Sequence, residues 1–113
     1  MKLVALAAMV AALIVPSALA ATPTLTGTVG PGFTITLKQG TAKVSKLKAG
    51  TYVIKISDKS NIHNFALKGP GVSKATSIGG TGTKTWTVTL KKGTYKYVCT
   101  PHATIMKGSF TVS

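Results

Sequence analysis

The sequence predicts an all-β domain, an antiparallel Greek-key β-sandwich of about seven or eight short strands. Three observations carry that expectation. After Ala21 no helical apolar period is visible; short stretches rich in Thr, Val, Ile and Tyr alternate polar with apolar residues instead. Gly, Pro, Lys and Ser punctuate these stretches as turn material. Finally, LKAGTYVIKI at 47–56 and LKKGTYKYVC at 90–99 use one turn-into-strand pattern twice. The residues after the two copies differ, so this is shared local chemistry and not a repeat architecture.

A chain of 113 residues supports one domain. It opens with Lys2, an apolar run over 3–15, Pro16 and then Ser17-Ala18-Leu19-Ala20. A basic start, a short apolar stretch and a small-x-small site are the plan of a secretory signal peptide. The run is too short to cross a bilayer comfortably, and no cysteine stands near the cleavage site to take a lipid. The expected division is a leader at 1–20 and a mature domain at 21–113, exported to the periplasm or the extracellular space as a monomer without stable membrane insertion. The single cysteine rules out an intramolecular disulfide. In an oxidising compartment a lone thiol must be buried or bound.

The formal net charge is +13, from fourteen lysines against one acid, Asp58. Such a surface first suggests nucleic acid. The absence of arginine, the dispersal of the lysines and export all argue against it. Two readings stay open: lysines that keep a β protein soluble and its edges unpaired, or long-range attraction to an acidic partner.

Taken in order, 25–29 and 33–37 read as strands split by Gly30-Pro31-Gly32, with Phe33, Ile35 and Leu37 facing inward. The polar segment 39–50 holds at most one weak strand around Val44. At 51–57, Tyr52, Ile54 and Ile56 share a face. A turn at 58–61 precedes a strand at 62–67, where His63 shares the parity of Phe65 and Leu67. A core-facing histidine is neutral and hydrogen-bonded, or bound to something. The longest irregular stretch, 68–82, suits a Greek-key crossover. Strands come next at 84–90, 94–99 and 108–112, and the parity of Tyr95 and Tyr97 turns Cys99 inward.

The segment CTPHATIMKG at 99–108 places a thiol, an imidazole and a thioether within eight residues. Each ligates soft or borderline transition metals. A buried structural cysteine beside an ordinary turn is the alternative. If the strand of His63 neighbours that of Cys99, His63, Cys99 and His102 converge at one end of the sandwich with Met106 nearby. Two imidazoles, a thiolate and a weak axial thioether form the blue-copper electron-transfer set.

SNIHNFAL around His63, together with GTYKYVCTPHATIMKGSFTV at the end, resembles the small cupredoxins, the group of plastocyanin, amicyanin and pseudoazurin. The resemblance spans essentially the whole mature chain. It implies one copper ion per chain, with His63, Cys99 and His102 as equatorial ligands and Met106 as the axial one. It implies that Asn64 and Thr100 tie the two ligand-bearing segments together by hydrogen bonds. Tyr95 resembles the tyrosine of a Greek-key corner. The one departure is spacing: Met106 lies seven residues after Cys99, longer than an amicyanin-like loop and shorter than a plastocyanin- or pseudoazurin-like one. Pro101, Ala103 and Ile105 leave an apolar collar around His102, which in the resembling proteins is the docking surface.

The function this implies is an exported one-electron carrier, not an enzyme, working between redox partner proteins; an acidic surface on such a partner is one of the two open readings of the lysines. The chain's two histidines are both used, so the further coppers of a multicopper oxidase or nitrite reductase have no ligands in this chain. The same residues would also serve copper storage, delivery or sensing, or a zinc site completed by water.

Overall fold

Burial alternates residue by residue along Gly50–Asp58, with Tyr52, Ile54 and Ile56 inside and Thr51 and Lys55 outside. A strand with one face on a core requires that alternation. The computed structural model describes residues 21–113, and the leader expected at 1–20 lies outside them. Among the described residues the strands are β1 (Thr24–Val29), β2 (Ile35–Gln39), β3 (Ala42–Lys43), β4 (Lys46–Leu47) and β5 (Gly50–Asp58). They continue with β6 (Ala66–Gly69), β7 (Val72–Ala75), β8 (Gly82–Leu90), β9 (Gly93–Val98) and β10 (Lys107–Val112).

They form two five-stranded sheets in the orders β3-β2-β1-β5-β8 and β4-β10-β9-β6-β7. The sandwich is therefore as expected, but two details are corrected. Among the described residues there are ten strands, because the segment around Val44 holds two two-residue strands and the irregular stretch contains β7. The sheets are mixed: β1 runs parallel to β5, and β4 parallel to β10. Such pairings join segments far apart in sequence, and local alternation carries no information about them.

The inner faces meet in one core. Tyr95 stacks on Phe110 with centroids 5.2 Å apart, Phe65 stacks on Tyr97 at 5.5 Å, and Trp86 of the first sheet reaches Phe65 of the second at 6.3 Å. Each such pair contributes about 0.5–1.5 kcal/mol beyond area burial. Close approach demands glycine at two places: a Cβ on Gly69 would run into the Tyr95 ring, and one on Gly108 into Tyr97. The outer face of the first sheet is a carpet of exposed threonines, with Thr26, Thr36, Thr51, Thr85 and Thr89 among them.

The two ends of the sandwich differ. At one end, β2–β3, β4–β5, β6–β7 and β8–β9 are joined by two-residue turns. There Tyr52 Oη donates to the Lys48 carbonyl at 2.7 Å. Tyr95 Oη accepts from the Lys91 N–H at 2.8 Å and lies 3.0 Å from both the Lys91 and Pro70 carbonyls. The shared LKxGTY pattern thus makes the same tyrosine-to-carbonyl bond, four residues back, in both copies. At the other end run the longer loops 30–34, 59–65, 76–81 and 99–106. The pairings of Val29 with Asp58, Asp58 with Gly82, Ala66 with Val98 and Val98 with Lys107 bring all four loops to that end.

Candidate metal centre

Two of these loops carry the three residues that could hold a metal, His63, Cys99 and His102. His63 comes after a turn at the end of the β5–β6 loop and is fully buried. It is not in a strand, since β6 begins only at Ala66, yet its side chain keeps the inward parity of Phe65 and Leu67. Cys99 comes directly after the last residue of β9 and is fully buried. His102 closes a single 3₁₀ turn, Thr100–His102, in which Pro101 supplies a fixed φ suited to a first turn. The turn is pinned by His102 N–H donating to the Cys99 carbonyl at 3.0 Å, and His102 stays half-buried.

These three side chains converge. His63 Nδ1 lies 3.2 Å from His102 Nδ1, and Cys99 Sγ lies 3.6 Å from the first and 3.5 Å from the second. A triangle with those edges has its centre about 2.0 Å from each atom, which matches metal–imidazole distances of about 2.0–2.1 Å. Two nitrogens and a sulfur aimed at one point are hard to satisfy with the protons of two imidazoles and a thiol. A soft, imidazole-accepting cation at the centre satisfies all three, so the donor set fits copper.

Met106 is buried at the last loop position before β10. Its N–H donates to the His102 carbonyl at 2.9 Å, and its carbonyl accepts from Cys99 N–H at 3.0 Å. The loop is therefore closed across its base, with Met106 on the core side. Asn64 and Thr100 do join the two segments. Thr100 N–H donates to Asn64 Oδ1 at 2.7 Å, and Asn64 Nδ2 donates to Thr100 Oγ1 at 3.1 Å.

The sequence reading missed two participants. Phe33, expected to face inward, is 53 % exposed. It lies in the loop before β2, where strand alternation does not operate, and its ring stands edge-on to His63 at 5.1 Å and to His102 at 4.8 Å. Thr76 is buried in the β7–β8 loop: its Oγ1 accepts from Phe65 N–H at 2.9 Å and its carbonyl from Asn64 Nδ2 at 3.3 Å. It extends the Asn64 network to a third loop. No local pattern marks such a threonine.

His63 Nε2 is buried without a hydrogen-bond partner, so packing orients the ring. Gly30 is part of that packing: at φ +73° its absent Cβ would lie 3.2 Å from His63 Cδ2. Among the described residues, the exposed large apolar side chains include Phe33, which stands over both histidine rings, and Ile62 and Ile105, which lie next to His63 and close to His102 in sequence. Phe33 and Ile105 join Pro101 and Ala103 beside the half-buried His102.

Comparison with known proteins gives the family and supports the fold. Residues 28–113 match the model of the family described as copper binding proteins, plastocyanin/azurin family. No curated protein sequence matches the chain. Among solved structures, reduced rusticyanin is 24% identical over 80% of this chain and 78% of its own, with a TM-score of 0.60. Rusticyanin from Thiobacillus ferrooxidans gives 24% identity over 80% and 76%, with a TM-score of 0.56. Auracyanin A, a "blue" copper protein from Chloroflexus aurantiacus, is 20% identical over 82% of this chain and 100% of its own, with a TM-score of 0.52. At these identities the solved structures establish the shared fold, while the family match covers most of the chain. The chain is a small cupredoxin, a member of the plastocyanin/azurin family of copper-binding proteins, and its cofactor is one copper ion.

Proposed function

We propose that this protein is an exported one-electron carrier in which His63 Nδ1, Cys99 Sγ and His102 Nδ1 would hold the copper, with the Met106 thioether as a weaker fourth donor. The observation that carries the reading is the convergence of those three atoms, all within 3.6 Å of one another, at the end of a β-sandwich. Copper bound there supplies the Cu(I)/Cu(II) couple. The chain's own contribution is to hold one donor arrangement suited to both oxidation states. Cys99 and His63 are fixed by burial, and His102 by the 3₁₀ turn and the Asn64–Thr100 bonds. Little then has to move when the charge changes. Phe33 and the buried core exclude water from all sides except that of His102, whose ring is the electron port. Around it, Pro101, Ala103 and Ile105 offer a partner an apolar contact from which water is readily removed. The residues at 1–20 would direct export and be removed, and among the described residues no helix is long and apolar enough to cross a membrane.

The test is an optical and EPR spectrum of the copper-loaded protein. An intense visible thiolate-to-copper band with narrow hyperfine splitting is expected, together with reversible one-electron reduction and fast self-exchange. Cys99→Ser is expected to abolish the band. A colourless copper complex, or an unchanged spectrum in the variant, overturns the assignment. Unidirectional copper transfer to an acceptor protein without reversible redox would instead indicate copper delivery.

A further inference from the structure

We infer that the outer face of the second sheet is a docking surface for a protein that presents a carboxylate cluster around a protruding apolar side chain. This goes beyond the collar around His102, and only the redox character of the partner rests on the carrier reading.

The backbone register places Ala66 directly between Val98 and Ala75, one small side chain on each of three neighbouring strands. Val98 in turn faces Lys107 across β10. The next row sets Lys68 directly opposite Lys96. Ala66, Ala75 and Val98 line a groove of about 610 Å³, and Lys68 and Lys96 stand on the same face at its edge. The lining is mostly apolar and the side chains of Ala66 and Ala75 are short, which leaves the surface concave there.

The Lys68–Lys96 pair is the informative feature. Like charges directly opposite across a ladder are destabilising. A second such pair, Lys38–Lys43, joins β2 to the two-residue edge strand β3, where lysines protect against unwanted pairing. Edge protection does not account for Lys68 and Lys96, because β6 and β9 are interior strands. Nor can the chain neutralise them itself: its only acidic side chain, Asp58, is buried at the end of β5. The counter-charge must come from outside. This also argues against a second copy of the chain as the occupant.

Shape selects a protein over an anionic membrane. A bilayer is engaged by apolar side chains that protrude, and here the exposed large ones include Phe33 and Ile105 near the ligand loops, not this face. A groove floored by alanines receives a protruding side chain. Lysine, with a long flexible stem and a strongly hydrated charge, suits a contact that forms fast and dissociates readily. The groove also reaches Thr100, so an occupant would lie along β9, which ends just before Cys99, on a face separate from His102.

The experiment uses the copper-loaded protein, a synthetic Glu-rich peptide with one central Leu as the probe, and amide chemical shifts with titration calorimetry as readouts. Shifts are expected to cluster on β6, β7 and β9. Lys68→Glu with Lys96→Glu is expected to weaken binding about tenfold or more, against about twofold for the charge-matched control Lys38→Glu with Lys55→Glu. Ala75→Trp, which fills the groove at unchanged charge, is expected to weaken the Leu-bearing peptide and leave an all-Glu peptide unaffected. Equal weakening by the two double variants overturns the proposal in favour of a net-charge effect. So do shifts confined to the collar around His102, or phosphatidylglycerol vesicles outcompeting the peptide for the groove. None of these outcomes depends on the visible spectrum, so this proposal and the blue-copper assignment fail separately.

Discussion

The two ends of the sandwich are built by opposite rules. At the turn end, four two-residue connections and two tyrosine hydroxyls fix the chain with bonds that any β-sandwich could use. At the other end the connections are longer, the bonds run between loops, and a buried histidine nitrogen has no partner. Strand β9 spans both: Tyr95 locks one end and Cys99 lies just past the other. The difference teaches that the scaffold and the chemistry are separable. One end keeps the register, and the other uses that rigidity to hold three donors over one point.

If so, variants at the two ends should have distinct signatures. The largest effect is expected from Asn64→Ala, which removes the bonds to Thr100 and to the Thr76 carbonyl. Copper affinity should fall roughly 10–100-fold, read by competition with a chelator. Unchanged affinity would mean that the loops hold their positions without this network. Next, Tyr95→Phe leaves the Lys91 N–H without its acceptor and should cost about 1–3 kcal/mol in denaturant unfolding, with the visible band unmoved. Tyr52→Phe, losing a single bond to Lys48, should cost about 0.5–1.5 kcal/mol with the same silent spectrum. A shifted band in either tyrosine variant would break the separation of the two ends.

The smallest expected effect concerns pH. Burial pushes the Tyr97 hydroxyl above its ordinary value of 10.0. Above that ordinary value the unfolded chain releases a proton that the folded one keeps, so stability falls as pH rises through the alkaline range. The loss is bounded by one proton, about 1.4 kcal/mol per pH unit. Tyr97→Phe should make the alkaline limb shallower, and an identical limb would show that Tyr97 does not contribute.

Much of this was legible in the sequence because strands encode their faces. Parity placed Tyr52, Ile54 and Ile56 inside, and likewise Tyr95, Tyr97 and Cys99. It reached even His63, which is buried like Phe65 and Leu67 although β6 begins only at Ala66. Phe33 marks where the rule stops: its loop does not keep the strand period, and its position is set by the two histidine rings beneath it. Strand β7 was hidden for another reason. Three of its four residues are exposed, so backbone bonding to β6 defines it and no apolar pattern announces it. Thr76 acts through one hydroxyl and one carbonyl, which composition cannot signal.

Cys99 is the chain's only cysteine, and it is completely buried. A second cysteine introduced on the threonine carpet, for example Thr87→Cys, would be the sole thiol open to a maleimide. The protein could then be tethered to an electrode by one chosen atom, with the threonine sheet against the support and both the His102 end and the lysine-rimmed groove left free. Orientation on the surface would become an experimental variable, and current through either face could be measured one at a time.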